Sequence, residues 1–180
     1  MNIVNKKWLL GLARKAIKSE LKGEKLVVSE VPVEFKKKKA CFVTLTKNGE
    51  LRGCLGHLIP LQELYRDVIE NAKLAAFGDY RFESVISGEL PEIEIEISIL
   101  ERPKKYKYSS PEKLVKFLAE NKPGVMLKRG FNQATYLPQV WEELKKPEEF
   151  MGSLCQKAGL PADEWRKKVE IGVYGVEKLV

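Results

Sequence analysis

An α+β fold is predicted from three features of the chain: a hairpin signal at Asn48-Gly49, a strict apolar alternation from Ile93 to Ile99, and amphipathic helical stretches interleaved with these strands. The hairpin is antiparallel, which argues against a parallel doubly wound sheet. With 180 residues, the length suits a single domain spanning 1–180, with room for two sub-domains. The expected architecture is a two-lobed single domain with a mainly antiparallel sheet and flanking helices.

The elements follow in order. Val4, Trp8, Leu12, Ala16, Ile17 and Leu21 recur at helical spacing, predicting a helix over 3–22 that Gly23 stops. Lys6 and Lys7 precede its short apolar run, and Arg14, Lys15 and Lys18 follow, a pattern of an amphipathic helix and not of a cleaved signal peptide. The stretch with Pro32 and Lys36 to Lys39 reads as loop. Ala40 to Thr46 and Leu51 to Leu55 flank Asn48-Gly49, which predicts a two-residue turn. That turn would set Lys47 opposite Glu50, Leu45 opposite Arg52 and Val43 opposite Cys54. Leu61, Leu64, Tyr65, Val68, Ile69, Ala72 and Ala76 mark a helix starting just after Pro60, and Phe77 to Phe82 reads as loop. Ile93, Ile95, Ile97 and Ile99 alternate with polar residues, as in a half-buried strand. Ser110-Pro111 opens a third helix, with Ser110 at the N-cap. Val125 to Leu127 and Asn132 to Tyr136 read as strands, 138–146 and 148–158 as helices, and Val169 to Val176 as a last strand.

Composition narrows the function classes. Hydrophobic residues make up 44% and charged residues 32% of the chain, enough for a packed core under a charged surface. No apolar run reaches membrane-spanning length, so a cytoplasmic protein without membrane contact is expected. The net charge of +7 weakly favours acidic partners, but abundant Lys and Glu suit the surface ion-pair networks of a thermophile, the reading preferred over a nucleic-acid footprint. Three cysteines (Cys41, Cys54 and Cys155) and one histidine (His57) argue against a disulfide scaffold and a zinc site.

Leu51-Arg52-Gly53-Cys54-Leu55-Gly56 is the segment richest in chemistry. A glycine inside a strand marks a bulge or a close approach. An adjacent arginine or a nearby helix N-terminus lowers a thiol's pKa, so Cys54 is a candidate nucleophile or attachment point, with Arg52 stabilising a thiolate or holding an anion. The predicted register puts Arg52 and Cys54 on the apolar face of Cys41, Val43 and Leu45, where Arg52 needs a carboxylate, Asp79 being the candidate. His57 falls on the opposite face, which argues against a Cys54–His57 pair. Asp79 and Arg81 read either as an ion pair fixing a loop or as an anion or carboxylate site at the junction of the lobes. Lys104, Lys105, Tyr106, Lys107 and Tyr108 interleave charge with aromatic rings, as a solvated loop does and as a single-stranded nucleic-acid site does. Tyr136 and Trp141 read as core.

The hexapeptide at 51–56 resembles the LRGCIG signature of the AMMECR domain family. Asn71-Ala72 through Ala75-Ala76-Phe77, Asp79-Tyr80-Arg81-Phe82, Pro91 through Leu100, Gly124-Val125 with Leu127, and Thr135 to Trp141 are similar to that family's further blocks, in order. Glu83-Ser84 follow Phe82 where a proline is common after one residue, and His57 lies outside the signature. The resemblance implies a two-lobed α+β fold without an assigned activity or cofactor. It also implies the microbial stand-alone form, associated with a Memo-like protein and a radical SAM protein. Three functional classes remain open: a thiol-dependent or small-molecule-handling protein with its site between two lobes around Cys54, Arg52, Asp79 and Arg81; a non-catalytic regulatory or interaction module; and a nucleic-acid binder.

Overall fold

The computed structural model describes residues 2–167 and 169–180. In chain order the regular elements are α1 (Ile3–Leu21), β1 (Cys41–Lys47), β2 (Glu50–Gly56), α2 (Leu64–Phe77), β3 (Ile93–Leu100), β4 (Lys104–Tyr106), α3 (Pro111–Asn121), β5 (Gly124–Arg129), β6 (Asn132–Tyr136), α4 (Pro147–Lys157), β7 (Glu170–Tyr174) and β8 (Val176–Leu179). Helices and antiparallel strand pairs make an α+β fold. The chain divides into two compact units, Met1–Leu100 with Glu177–Val180, and Glu101–Val176.

The first unit holds a four-stranded sheet in the order β2-β1-β3-β8. Asn48 and Gly49 both have positive φ, the backbone a two-residue hairpin turn requires. Alternation along β1 buries Cys41, Val43 and Leu45, and the apolar stripes of α1 and α2 join them: Leu9, Leu12, Ala16 and Ile17 from one helix, Leu64, Val68, Ala72 and Ala75 from the other. Fully burying each large member contributes about 1.5–3 kcal/mol. Asn2 caps α1 by accepting the amide of Asn5 at 2.8 Å. Helix α2 begins at Leu64, three residues after Leu61. Before it the backbone is tied to the lysine run, since the Leu64 amide donates to the Lys37 carbonyl and Lys38 bridges Glu63.

The second unit holds the sheet β4-β7-β5-β6 with α3 and α4. Its core gathers Leu114, Leu118, Val125, Leu127, Phe150, Leu154 and Ile171. Trp141 is core, stacked on Phe150 at 3.8 Å with its indole N–H donating to the Pro123 carbonyl. Tyr136 meets Phe150 edge-on and bonds Ser153.

Several elements depart from the sequence expectation. Lys104–Tyr106, read as loop, forms β4 because β7 offers it an edge. The stretch 138–146 is a short 3-10 helix, Pro138–Glu142, and Pro147 opens α4 where its missing N–H costs nothing. Val169 to Val176 is not one strand: Glu170–Tyr174 joins the second sheet and Val176–Leu179 the first. Ser110 sits at the N-cap of α3 in extended conformation but makes no side-chain capping bond.

Candidate functional site

The hairpin carries the signature hexapeptide, and its register is not the simple one. Lys47 faces Glu50 and Thr46 faces Leu51, as a two-residue turn dictates, but Leu45 then faces Gly53 and Thr44 faces Cys54. Arg52 is the extra residue of a β-bulge, which shifts every later pair by one. Cys54 is therefore on the face of Thr44, not on that of Cys41, Val43 and Leu45. Gly53 takes the core face instead, where an added Cβ would collide with the Ala75 carbonyl of α2. Gly56 is pressed in the same way against Phe42 and the Cys41 carbonyl. Both glycines serve close backbone approach.

Arg52 does not reach Asp79. Its Nε and one terminal nitrogen fork onto Glu89 at 3.2 and 3.0 Å, and the other terminal nitrogen donates to the Glu83 carbonyl at 2.7 Å. Hydrogen bonding from Arg52 holds the Glu89 carboxyl down to about 2, helped by the Ile86 amide and Lys47. The guanidinium pins the loop that precedes β3, and its donors are engaged in doing so.

Asp79 turns to Cys54 and Arg81. One carboxylate oxygen accepts the Cys54 amide at 2.9 Å, and Arg81 binds both oxygens at 2.7 and 2.9 Å. A terminal nitrogen of Arg81 also donates to the Cys54 carbonyl at 3.3 Å. The pair thus grips the residue at both its amide and its carbonyl. Asp79 is buried, whereas the Arg81 side chain is 46% exposed. Arg81 holds the Asp79 carboxyl well below the usual carboxylate range, outweighing the opposing effect of burial.

The thiol of Cys54 is half-buried, with Sγ 3.2 Å from the Thr44 hydroxyl. Burial pushes its pKa up, and the downward pulls of Thr44 and Arg81 do not compensate. The depression expected from an adjacent arginine does not occur: Arg52 is neutralised by Glu89, and desolvation dominates. Cys41 and Cys155 are buried and free, and burial also raises both thiols.

Cys54, Arg52, Asp79 and Arg81 all lie in the first unit. The structure brings Cys54, Asp79 and Arg81 together and directs Arg52 elsewhere. Thr44 and Glu89 escaped the sequence reading because the bulge decides which side chains Cys54 and Arg52 meet. Among the described residues no group of three or more His, Cys, Asp or Glu side chains is placed to hold a metal ion.

In the second unit, Tyr106 and Tyr108 belong to the core surroundings, Tyr106 stacking on Phe117 at 4.0 Å. A groove of about 570 Å³ lies beside them, lined by Lys105, Lys107, Lys128 and Arg129 among others. Glu170 pairs Lys105 at 3.5 Å, and Glu164 pairs Arg129. No helix of the described residues is long and apolar enough to cross a membrane.

The chain is thus an α+β protein with a bulged, glycine-flanked cysteine on a hairpin, gripped by an Asp-Arg pair. The chain belongs to the AMMECR1 family, whose profile matches residues 10–179. Among its relatives is protein Mbar_A1807 of Methanosarcina barkeri, 39% identical over 169 residues, covering 91% of this chain and 83% of the relative. Protein MK0488 of Methanopyrus kandleri is 38% identical over 167 residues, covering 88% and 79%. The crystal structure of the uncharacterized protein PH0010 from Pyrococcus horikoshii superposes with a TM-score of 0.88 at 30% identity, covering 99% of this chain and 92% of that one.

Proposed function

We propose that this AMMECR1-family chain handles a small anionic molecule at the thiol of Cys54, with Arg81 contacting the anionic group and Asp79 fixing both. One observation carries the reading: a buried carboxylate and a half-exposed guanidinium hold Cys54 at amide and carbonyl while its thiol stays only half-buried. Desolvating Asp79 is costly, and pairing with Arg81 offsets that cost. Arg52 serves as support for the loop rather than as a ligand contact.

The test is site-by-site alkylation of the three cysteines in the folded protein, with iodoacetate and iodoacetamide side by side. Cys54 reacts ahead of Cys41 and Cys155, and Arg81→Gln removes any preference for the anionic reagent. Inertness of Cys54 until unfolding would sink the proposal.

A second reading, a non-catalytic interaction module, is favoured by a specific observation. The glycines, Arg52 and Asp79 each have a structural task, and burial raises the thiol's pKa instead of lowering it. On that reading Cys54→Ala alters stability alone.

A further inference from the structure

Where the chain leaves β2 and meets α2 lies a second polar cluster that the Cys54 site does not use. Asp67 and Asn71 sit one turn apart on α2 and interrupt its apolar stripe, 1% and 0% exposed. Asp67 receives hydrogen-bond donors on both oxygens. One accepts the Cys41 amide at 2.9 Å and the Asn71 side-chain amide at 3.1 Å; the other lies 2.7 Å from His57 Nδ1 and accepts Gln62 at 3.3 Å. Asn71 has two amide hydrogens, and the Asp67 oxygen and the Cys41 carbonyl at 3.2 Å take them. Its 3.3 Å approach to Nδ1 is then a contact without a shared proton. The Nδ1 proton therefore points to Asp67, and in the neutral ring the lone pair lies on Nε2. The backbone fixes the ring as well, because the His57 amide donates to the Cys41 carbonyl at 3.0 Å. The His57 side chain is 33% exposed over a carboxylate that is 1% exposed, and Nε2 has no hydrogen-bond partner among the described residues.

We propose that His57 is a proton-transfer residue for a hydroxyl-bearing ligand, with Asp67 as its positioning residue and Asn71 and the Cys41 backbone fixing Asp67 in turn. The Nε2 lone pair takes the hydroxyl proton, the O–H bonding electrons stay on the ligand oxygen, and the ring becomes an imidazolium whose Nδ1–H remains on Asp67. The proton then returns from Nε2 to the same ligand oxygen, so the step is a reversible proton exchange in which no other bond changes. A carboxylate behind Nδ1 both selects the reactive tautomer and stabilises that imidazolium. This site is distinct from the Cys54 site: His57 follows the end of β2 and meets α2, whereas Cys54 lies within β2 on the face of Thr44.

The chain has a single histidine, so two probes read this site without interference. Nitrogen NMR of the labelled protein reports the tautomer of the neutral ring, and diethyl pyrocarbonate reports the reactivity of Nε2. The expected results are an Nδ1–H tautomer and carbethoxylation of the folded protein no slower than that of N-acetylhistidine at matched ionisation. Asp67→Asn, whose amide can donate to Nδ1, shifts the ring to the Nε2–H tautomer and slows modification by about tenfold or more. An Nε2–H tautomer in the unaltered protein, modification only on unfolding, or an unchanged rate in a folded Asp67→Asn protein overturns the proposal. If that variant does not fold, the two measurements on the unaltered protein decide. A structural histidine would share the tautomer but not the reactivity.

Discussion

The carboxylate of Asp79 accepts the backbone amide of Cys54 at 2.9 Å, across twenty-five residues of sequence, and so ties the loop after α2 to the centre of β2. Replacing Asp79 by alanine leaves that amide and the Arg81 guanidinium without their shared acceptor. The expected cost is about 1.5–3 kcal/mol, the value of hydrogen bonds to a charged group. Asp79→Asn keeps an acceptor for the amide and costs less. Urea unfolding of the two variants checks the order; equal losses would show that the amide contact contributes nothing.

Acid should weaken the first unit through its paired carboxylates. Glu89 binds its proton less tightly folded than unfolded, so its contribution is complete above the unfolded value of about 4.3 and is lost as pH falls through about 2. Asp79 acts with the same sign. Arg52→Gln removes the fork onto Glu89, and the slope of stability against pH between about 4.3 and about 2 should become shallower. An unchanged slope would count against the pairing.

Base acts through the thiols. Burial raises Cys41 and Cys54, so their contribution is complete below the unfolded value of about 8.5 and is lost as pH rises through the folded values. Alkylation of Cys54 in the folded protein should therefore show a midpoint above about 8.5. A midpoint below it would mean that an unseen cationic influence outweighs burial.

Glycine substitutions separate close approach from tolerance. Gly53→Ala drives a methyl group into the Ala75 carbonyl, and a loss of at least about 3 kcal/mol, or no folded protein, is expected. Gly11 lies mid-helix in α1 with nothing within 4 Å of an added Cβ. Gly11→Ala should raise stability by about 0.5–1 kcal/mol, readable as a higher melting temperature.

The basic strand gives a prediction of the opposite kind. Lys105 and Arg129 are already paired with glutamates. Neutralising Lys104, Lys105 and Lys107 together should leave any weak binding to single-stranded nucleic acid almost unchanged. A steep salt dependence that these changes abolish would instead establish the groove as a phosphate site.

Most elements were legible because local signals and tertiary context agree. The Asn48-Gly49 turn, the isoleucine alternation of β3 and the stripe of α1 each carry their own periodicity or backbone requirement. What escaped was decided at a distance. Lys104–Tyr106 is a strand only because β7 pairs with it. The bulge at Arg52 cannot be read from alternation, and that one extra residue moved Cys54 from the face of Val43 to the face of Thr44 and sent Arg52 to Glu89. Asp79 and Arg81 could be named as a pair, but their hold on the Cys54 backbone depended on the fold. Asp67 and Asn71 did leave a trace, as polar residues one turn apart within an apolar stripe, and His57 needed the corrected strand to meet them.

Strand β8 gives the chain a fixed schedule of assembly. Leu179 is wholly buried in the first unit, yet it is joined to the rest of that unit only through all of Glu101–Val176. During synthesis the ribosome releases the first hundred residues long before Leu179 emerges, while the second unit has its full complement of residues earlier. The nascent sheet must wait with the β3 edge unpaired, and an unpaired edge invites other chains. Lys178, which reaches Glu96 at 3.4 Å, joins only at that last step. Loss of Glu177–Leu179 would thus spare the second unit and strand the first, and a cell's quality control would meet the defect as an exposed strand edge.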